Sequence, residues 1–537
     1  RVHPFKMVAF ENALNEGKKN TFIKKRKLEF DSSQNIKKES VQTTIDNYGT
    51  DHNKYSKANQ KNLDELIIKF VISETQPLTI VDKPSFVSLV QLGLPKDLKV
   101  MCRKTLKLRI NNMYLTMIDN IISTLGNVMY VATTADCWSK GKRGYLGVTC
   151  HWINSNSLQR HSVSLACSHE NEDVEIINLF DILENITHEQ EDSFIQLPPH
   201  FRCASHTLDL IAKNDIDKMV QSSDTTFKNC YRKALGKCSS LWTKQNMSNI
   251  VAEKIHDTLE VYLKTPNKTR WNCTYDSLLQ IQNILIGSNG HNKMNNIMDF
   301  CEIQRFTNQE IQLIQEYCEV MTPLAESLDF LQGEESMFMG YLLPTLYALD
   351  KKLIILQQKT MKFCGPLIKT VRTSIQTRFS SIWEKKELIL ASCLLPRFKL
   401  LWLDGDKRFM AKSWLRSHFE HLDYTANSEA NETESPSCTA GTDTFKEDFF
   451  CLPVDNNSKT SSSIEELELY LKSQSKELSV LLLYPTVLTA FLKFNTPLPS
   501  SAPVERLFST GSNVMTQKRH KLSDSLFEKL VLLKQNK

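Results

Sequence analysis

The 537-residue chain carries 66 lysines and arginines against 61 aspartates and glutamates, a formal net charge of +5, and 41% of its residues are apolar. That length admits two or more domains with buried cores, whereas so small a charge does not by itself mark a nucleic-acid binder. No stretch approaches the ~20 apolar residues of a membrane helix, the start lacks the apolar core of a secretion signal, and the 14 cysteines have no framework spacing, which reads as reduced thiols in a reducing compartment.

The chain starts at Arg1 rather than Met, which reads as a fragment of a longer product. Residues 1–60 are polar and aperiodic and are expected to be a disordered basic linker. Within them Lys24, Lys25, Arg26 and Lys27 form the densest basic cluster, either a nuclear address, a DNA-touching arm or a solvated tail. A helical region is expected over 61–126. There Leu63, Leu66, Ile67 and Phe70 fall on one helical face, and Leu108, Met113, Met117, Ile121 and Leu125 on another, closed by Gly126.

Three β-branched and aromatic runs follow, "VMYVATTADCWS", "GYLGVTCHWI" and "RHSVSLACS", parted by "KGKRG" and "NSNSLQ". They predict an antiparallel meander opening a domain over 127–215. An acidic helix around "DVEIINLFDILENI" comes next, then "FRCASHTLDLIA", read as a strand turning into a helix. Residues 216–423 are patterned as helices almost throughout. Ile314, Cys318, Met321, Leu324, Leu328 and Leu331 recur at a helical period and predict a core stripe. Residues 424–462 are a polar low-complexity loop, and 463–537 return to helices.

At the C-terminal end, Ser501 is placed to cap a helix with Pro503 in its first turn and Glu505 just behind. As a bare helix-start acid, Glu505 is worth roughly 0.3–1 kcal/mol through the helix dipole. After Ser523, an expected N-cap, Leu526, Phe527, Leu530 and Leu533 line one face of the final helix, enough to close a core and leave a surplus for pairing two chains. Lys518, Arg519 and Lys521 beside it are phosphate contacts or merely solvated.

In this order, "TTADCWS", "CASHTLDLI", "TRWNCTYDSL", "LASCLLPRFK", "ELELYL", "SSAPVERLFSTGSNV", "KRHKLS" and "LFEKLVLLKQNK" resemble the hAT superfamily of DNA transposases and their domesticated descendants. The likeness runs from about residue 63 to the end. It implies an RNase H-like mixed α/β sheet with a large all-α insertion, mostly helical overall, and a C-terminal dimerisation region completing the core.

In such transposases three carboxylates hold two divalent ions, usually Mg2+, for an in-line displacement at phosphorus. The resemblance places Asp136 in the first carboxylate position and Glu505 in the third; read alone, Asp136 is a strand-end acid ordering the following turn. Between 168 and 202 nothing reads as the strand end that should carry the second acid, and Asp173 and Asp181 sit on what reads as a surface helix. Strand four is therefore expected to be missing, with "FRCASHT" sliding into its place or the fold suffering.

Arg270 and Trp271 match a family pair implied to contact a DNA end, the alternative being a Trp anchored between helices. Cys203 and His206 look like half a zinc site, with no second pair at suitable spacing, and are read as packing residues. "RVHP" looks like the tail of a BED-type zinc finger, which would make His3 a Zn2+ ligand only if the rest of that finger lies upstream.

The leading expectation is a nuclear, transposase-derived protein that self-associates and binds DNA but has lost its chemistry, with vestigial Asp136 and Glu505. The alternatives are a working transposase using Mg2+ and a protein-binding scaffold with no DNA role. No membrane partner is expected.

Overall fold

In the computed structural model the described residues are 59–169 apart from 93, 96 and 142, then 200–431 apart from 268–270, then 463–536 apart from 517, 518, 520 and 521. The chain divides between Asn62 and Leu63, and of the first part only residues 59–62 are described, at the start of a helix. The polar loop expected over 424–462 begins later than read, since a helix runs on to Asn431; its residues 432–462, the basic cluster Lys24–Lys27, His3, Asp173 and Asp181 lie outside the described residues.

The three alternating runs form β1 (Ala132–Lys140), β2 (Arg143–Ile153) and β3 (Arg160–His169), antiparallel in the order β1-β2-β3. Gly141, at a φ of +65°, turns the first hairpin. In the second link the Asn154 carboxamide oxygen accepts the amides of Asn156 and Ser157, each at 2.9 Å. β2 is central and its run is nearly continuous in apolar residues, because both faces are covered. Phe201–Cys203 do not form the strand read from "FRCASHT": they are irregular and lead straight into a helix at Ala204. Among the described residues no strand pairs the outer side of β1.

Ahead of the sheet stand α1 (Gln60–Ser73), α2 (Pro84–Gln91) and α3 (Arg103–Leu125). α1 is rotated from the expected face: Leu63, Ile67, Ile68, Val71 and Ile72 are buried, while Leu66 and Phe70 point outward. The buried Asp64 sets that rotation through its 2.7 Å ion pair with Arg109 of α3. On α3, Leu106 and Ile110 take the inward places expected of Leu108 and Met113, and Gly126 follows in a right-handed conformation.

The sheet is covered on both sides. Ile121 and Leu125 of α3 pack on Val148, Cys150, Trp152 and Leu165 of one face. The other face receives α17 (Ala502–Val514) and α18 (Asp524–Gln535) from the far end of the chain, with Tyr145, Val504, Phe508 and Phe527 in one cluster.

Between sheet and C-terminal helices lies the largest core, built by α4 (Ala204–Leu210), a π-helical turn at Ile211–Asp215, α5 (Ile216–Ser222), α6 (Thr225–Met247), α7 (Asn249–Leu259), α8 (Trp271–Ile286), α9 (Gly290–Phe300), α10 (Asn308–Leu331), α11 (Leu342–Gln357), α12 (Gly365–Arg378), α13 (Lys386–Cys393), α14 (Gly405–Asn431), α15 (Ser463–Lys472) and α16 (Pro485–Asn495). The predicted stripe of α10, from Ile314 to Leu331, is buried throughout, and Thr307 and Glu310 close its first turn as a reciprocal capping box. The fold is thus mixed α/β, mostly helical, with one small antiparallel sheet. No helix among the described residues is long and apolar enough to cross a membrane.

One arginine ties the sheet to the helices. Arg160, at the start of β3 and 8% exposed, donates to the carbonyls of Met337 (2.8 Å), Thr496 (2.6 Å) and Asn495 (2.6 Å). Burial brings its pKa down to about 9, still protonated near neutrality. The Asn495 carboxamide, fully buried, accepts the Gly340 amide at 2.9 Å and donates to the Ala391 carbonyl at 3.0 Å. A β-carbon on Gly340 would fall 2.3 Å from that same carbonyl oxygen, so only glycine lets its turn approach α13 so closely. Replacing Arg160 with methionine should lower unfolding free energy by about 2–4 kcal/mol in urea titrations, because three buried carbonyls lose a charged donor. Lys352→Met, breaking an exposed pair with Glu326, should change it by less than about 1 kcal/mol.

Candidate functional site

The candidate site is the junction of β1, β2 and the first turns of α17. Asp136 lies at the middle of β1, not at its end, and pairs across to Gly147 of β2. Directly paired residues of an antiparallel ladder project to the same face. A β-carbon on Gly147 would stand 2.5 Å from the Phe508 ring and 2.8 Å from Val504 Cγ2, so that face is the one beneath α17. Trp138, two residues beyond Asp136 and therefore on the same side, stacks on Phe508 at 5.7 Å. Asp136 thus shares its face with the helix that carries Glu505, and Glu505 follows Val504, which rests over Gly147.

Asp136 is exposed, and one of its carboxylate oxygens accepts the amide of Cys137 at 2.8 Å. Glu505 is half-buried in the first turn of α17. Its neighbour Arg506 makes a 2.6 Å ion pair with Glu334, whose carboxylate also accepts the Ser162 hydroxyl at 3.0 Å.

The start of α17 is held by the Cys203 segment. Cys203 Sγ accepts the amides of His206 (3.4 Å) and Ser501 (3.3 Å), and the Ala204 amide donates to the Pro499 carbonyl at 2.8 Å. Ser501 does not cap α17 through its side chain; the Ser500 hydroxyl accepts the Ala502 amide at 3.1 Å instead. Ser523 likewise makes no side-chain cap on α18. His206 is exposed, and its contribution is the backbone amide given to Cys203. The Cys-x-x-His element therefore works here as a helix cap joining α4 to α17.

Several expected contacts are placed otherwise. Trp271 is only 4% exposed: its ring packs against Tyr275, at 5.5 Å between centroids, and its amide donates to Asp209 at 3.0 Å as the first residue of α8. An indole so enclosed cannot stack on a nucleobase without opening that core. Arg519 is 8% exposed and donates to the Gln76 carbonyl at 2.6 Å, so its guanidinium anchors the last loop rather than meeting phosphate. Arg270, Lys518 and Lys521 lie outside the described residues.

The final helix is also committed internally. Phe527, Leu530 and Leu533 are buried and Leu526 partly so, because α18 packs against β3, α17 and α3. Glu528, itself buried, accepts the Cys167 amide at 2.9 Å and the Ser168 hydroxyl at 2.7 Å. Asn536 bonds both the amide and the carbonyl of Ser164 at 2.7 Å. Its N-terminus is fixed by Asp524, which accepts from Tyr145 and Arg143 at 3.0 Å each. Burial, with Asp524 adding to it, pushes the Tyr145 phenol up to about 12. Of the four residues read as closing a core and pairing two chains, Phe527, Leu530 and Leu533 are core within one chain and Leu526 is partly covered.

Sequence reasoning overlooked Gly147, Arg160 and Glu528. Only the first had a signal, since a glycine inside a strand run marks the close approach of another element. Among the described residues no three of His, Cys, Asp and Glu gather into a metal-holding group. Asp136 and Glu505 alone therefore do not fit a pair of divalent ions, which needs bridging oxygen ligands. Neither a protein-family model nor a curated protein matches the chain.

Gly147→Val should force α17 away from the sheet and destabilise the protein by about 1–3 kcal/mol or more, with loss of the near-ultraviolet signal of the Trp138–Phe508 stack as the local check. Phe527→Ala should cost about 3–5 kcal/mol in thermal or urea unfolding while leaving the mass in solution unchanged; a dimer-face residue would do the reverse.

Proposed function

We propose that the chain is a hAT-transposase-like nuclear protein that binds DNA and self-associates without carrying out strand transfer. The observation that carries this reading is the shared face of Asp136 and α17, brought together across a long helical region by the bare backbone of Gly147. The meander, the helices inserted after it and the return of the "SAPVERLF" helix to the sheet follow the order expected of an RNase H-like core with an all-α insertion. On that reading Asp136 and Glu505 are what remains of a triad.

Two carboxylates without a bridging third hold divalent ions weakly and leave the attacking oxygen unaimed. Phosphate contact falls to Arg270, Lys518 and Lys521, with Lys24–Lys27 as nuclear address or DNA arm. Self-association then uses a surface other than Leu530 and Leu533. A BED finger upstream would add Zn2+ and sequence recognition through His3.

The test is incubation of the full chain with supercoiled plasmid and Mg2+ or Mn2+, beside duplex binding at several salt concentrations. Nicking should not exceed that of an Asp136→Asn, Glu505→Gln double variant. Duplex affinity should drop roughly 10- to 150-fold between 50 and 200 mM salt for two to four phosphate contacts. Cleavage that disappears in Asp136→Asn would establish the working enzyme instead, and an absence of salt-dependent binding would favour the scaffold.

A further inference from the structure

We propose that a cleft of about 420 Å3, far in sequence from the β1–α17 junction, is an aromatic cage for a methylated ammonium group. Its walls are Tyr347 of α11, Trp383 from the turn after α12, and Trp402 from the turn before α14, with Asp404, Asp406 and Lys407 at the start of α14. Tyr347 and Trp402 meet edge-to-face, 6.2 Å between centroids and 70° between planes, so their surfaces form a corner rather than a stack. The Tyr347 hydroxyl donates to Asp404 at 3.1 Å, which fixes both the ring and the carboxylate.

The chemistry of the walls selects the class of ligand. Aromatic faces carry negative charge density and attract cations. One cation already uses this ring: Lys351 Nζ lies 5.1 Å from the Tyr347 centroid. The two carboxylates are exposed and outnumber the one lysine of the lining, Lys407, so the charged side chains at the mouth sum to a negative charge. An anion is disfavoured, because the amide end of α14 that would receive it is taken by the charges of Asp404 and Asp406. A metal ion is disfavoured too, since no group of three ligating residues is found among the described residues and the walls are rings, not oxygens.

A bare ammonium would surrender its hydration to enter such a corner. Methyl groups remove that penalty and bury apolar surface while the charge stays. Trimethyl-lysine in a protein tail and free quaternary amines share this chemistry. The inference stands apart from the reading of Asp136 and Glu505.

Calorimetry and tryptophan fluorescence of the full chain decide it, with tetramethylammonium, choline, a short peptide bearing one trimethyl-lysine, and the same peptide unmodified. The trimethylated peptide should bind at least tenfold tighter than the unmodified one. Asp404→Asn and Asp406→Asn, both at exposed positions where the fold is retained, should each weaken it at least threefold, and Trp402→Leu should abolish it. Choline binding as tightly as the peptide assigns the cleft to small amines; binding of the peptide alone assigns it to a protein tail. No binding by any probe, equal binding of the unmodified peptide, or indifference to both aspartate substitutions would overturn the proposal.

Discussion

One face of the sheet of this protein is covered by helices that arrive last, and the guanidinium of Arg160 fixes where they arrive. Two of its three acceptors, the carbonyls of Asn495 and Thr496, lie 335 and 336 positions further along the chain. The entropy of closing so long a loop grows only with the logarithm of its length, so a large helical region can intervene cheaply. What such a loop lacks is precision. Arg160 supplies it through a planar fork of donors, and the buried Asn495 carboxamide passes the constraint to Gly340 and Ala391 on two further elements. Just beyond Thr496 the chain is handed to the Cys203 cap and then to α17.

Once the return point is fixed, the approach of α17 is governed by the absence of a side chain. Val504 and Phe508 descend onto Gly147, and Trp138 and Gly511 complete the fit from either side. The same descent brings the first turn of α17, which carries Glu505, to the face of the strand pair that holds Asp136. A change that lifts the helix would therefore move Glu505 relative to Asp136 without touching either.

Elements whose evidence is local were legible in the sequence. The strands showed a run of β-branched and aromatic residues with polar breaks, and α10 showed an apolar stripe, all contained within a few turns of chain. What was not legible depends on partners far away. An amphipathic face such as Leu526 to Leu533 specifies that something apolar covers it and is silent on whether that something is β3 or a second molecule. Trp271 and Arg519 suit nucleic acid and a protein interior equally well, because an indole and a guanidinium bind carbonyls and rings as readily as phosphates and bases. α1 was misread by one residue's rotation, since the pattern of leucines does not reveal that Asp64 is the inward polar residue paired to Arg109.

The exposure of the two acids bears on how such a fold could outlast its chemistry. A buried carboxylate without a cation is expensive, and a site built that way would unfold or rearrange when its ions were lost. Asp136 is exposed and Glu505 half-buried, so water reaches both. The buried charges of this region are satisfied by protein alone: Arg160 by three carbonyls, Glu528 by an amide and a hydroxyl. Stability in this region is thus drawn in part from buried charged groups that do not need a metal. On the proposed reading, loss of the second acid would remove activity at almost no cost in folding, leaving the scaffold and its surfaces open to other uses.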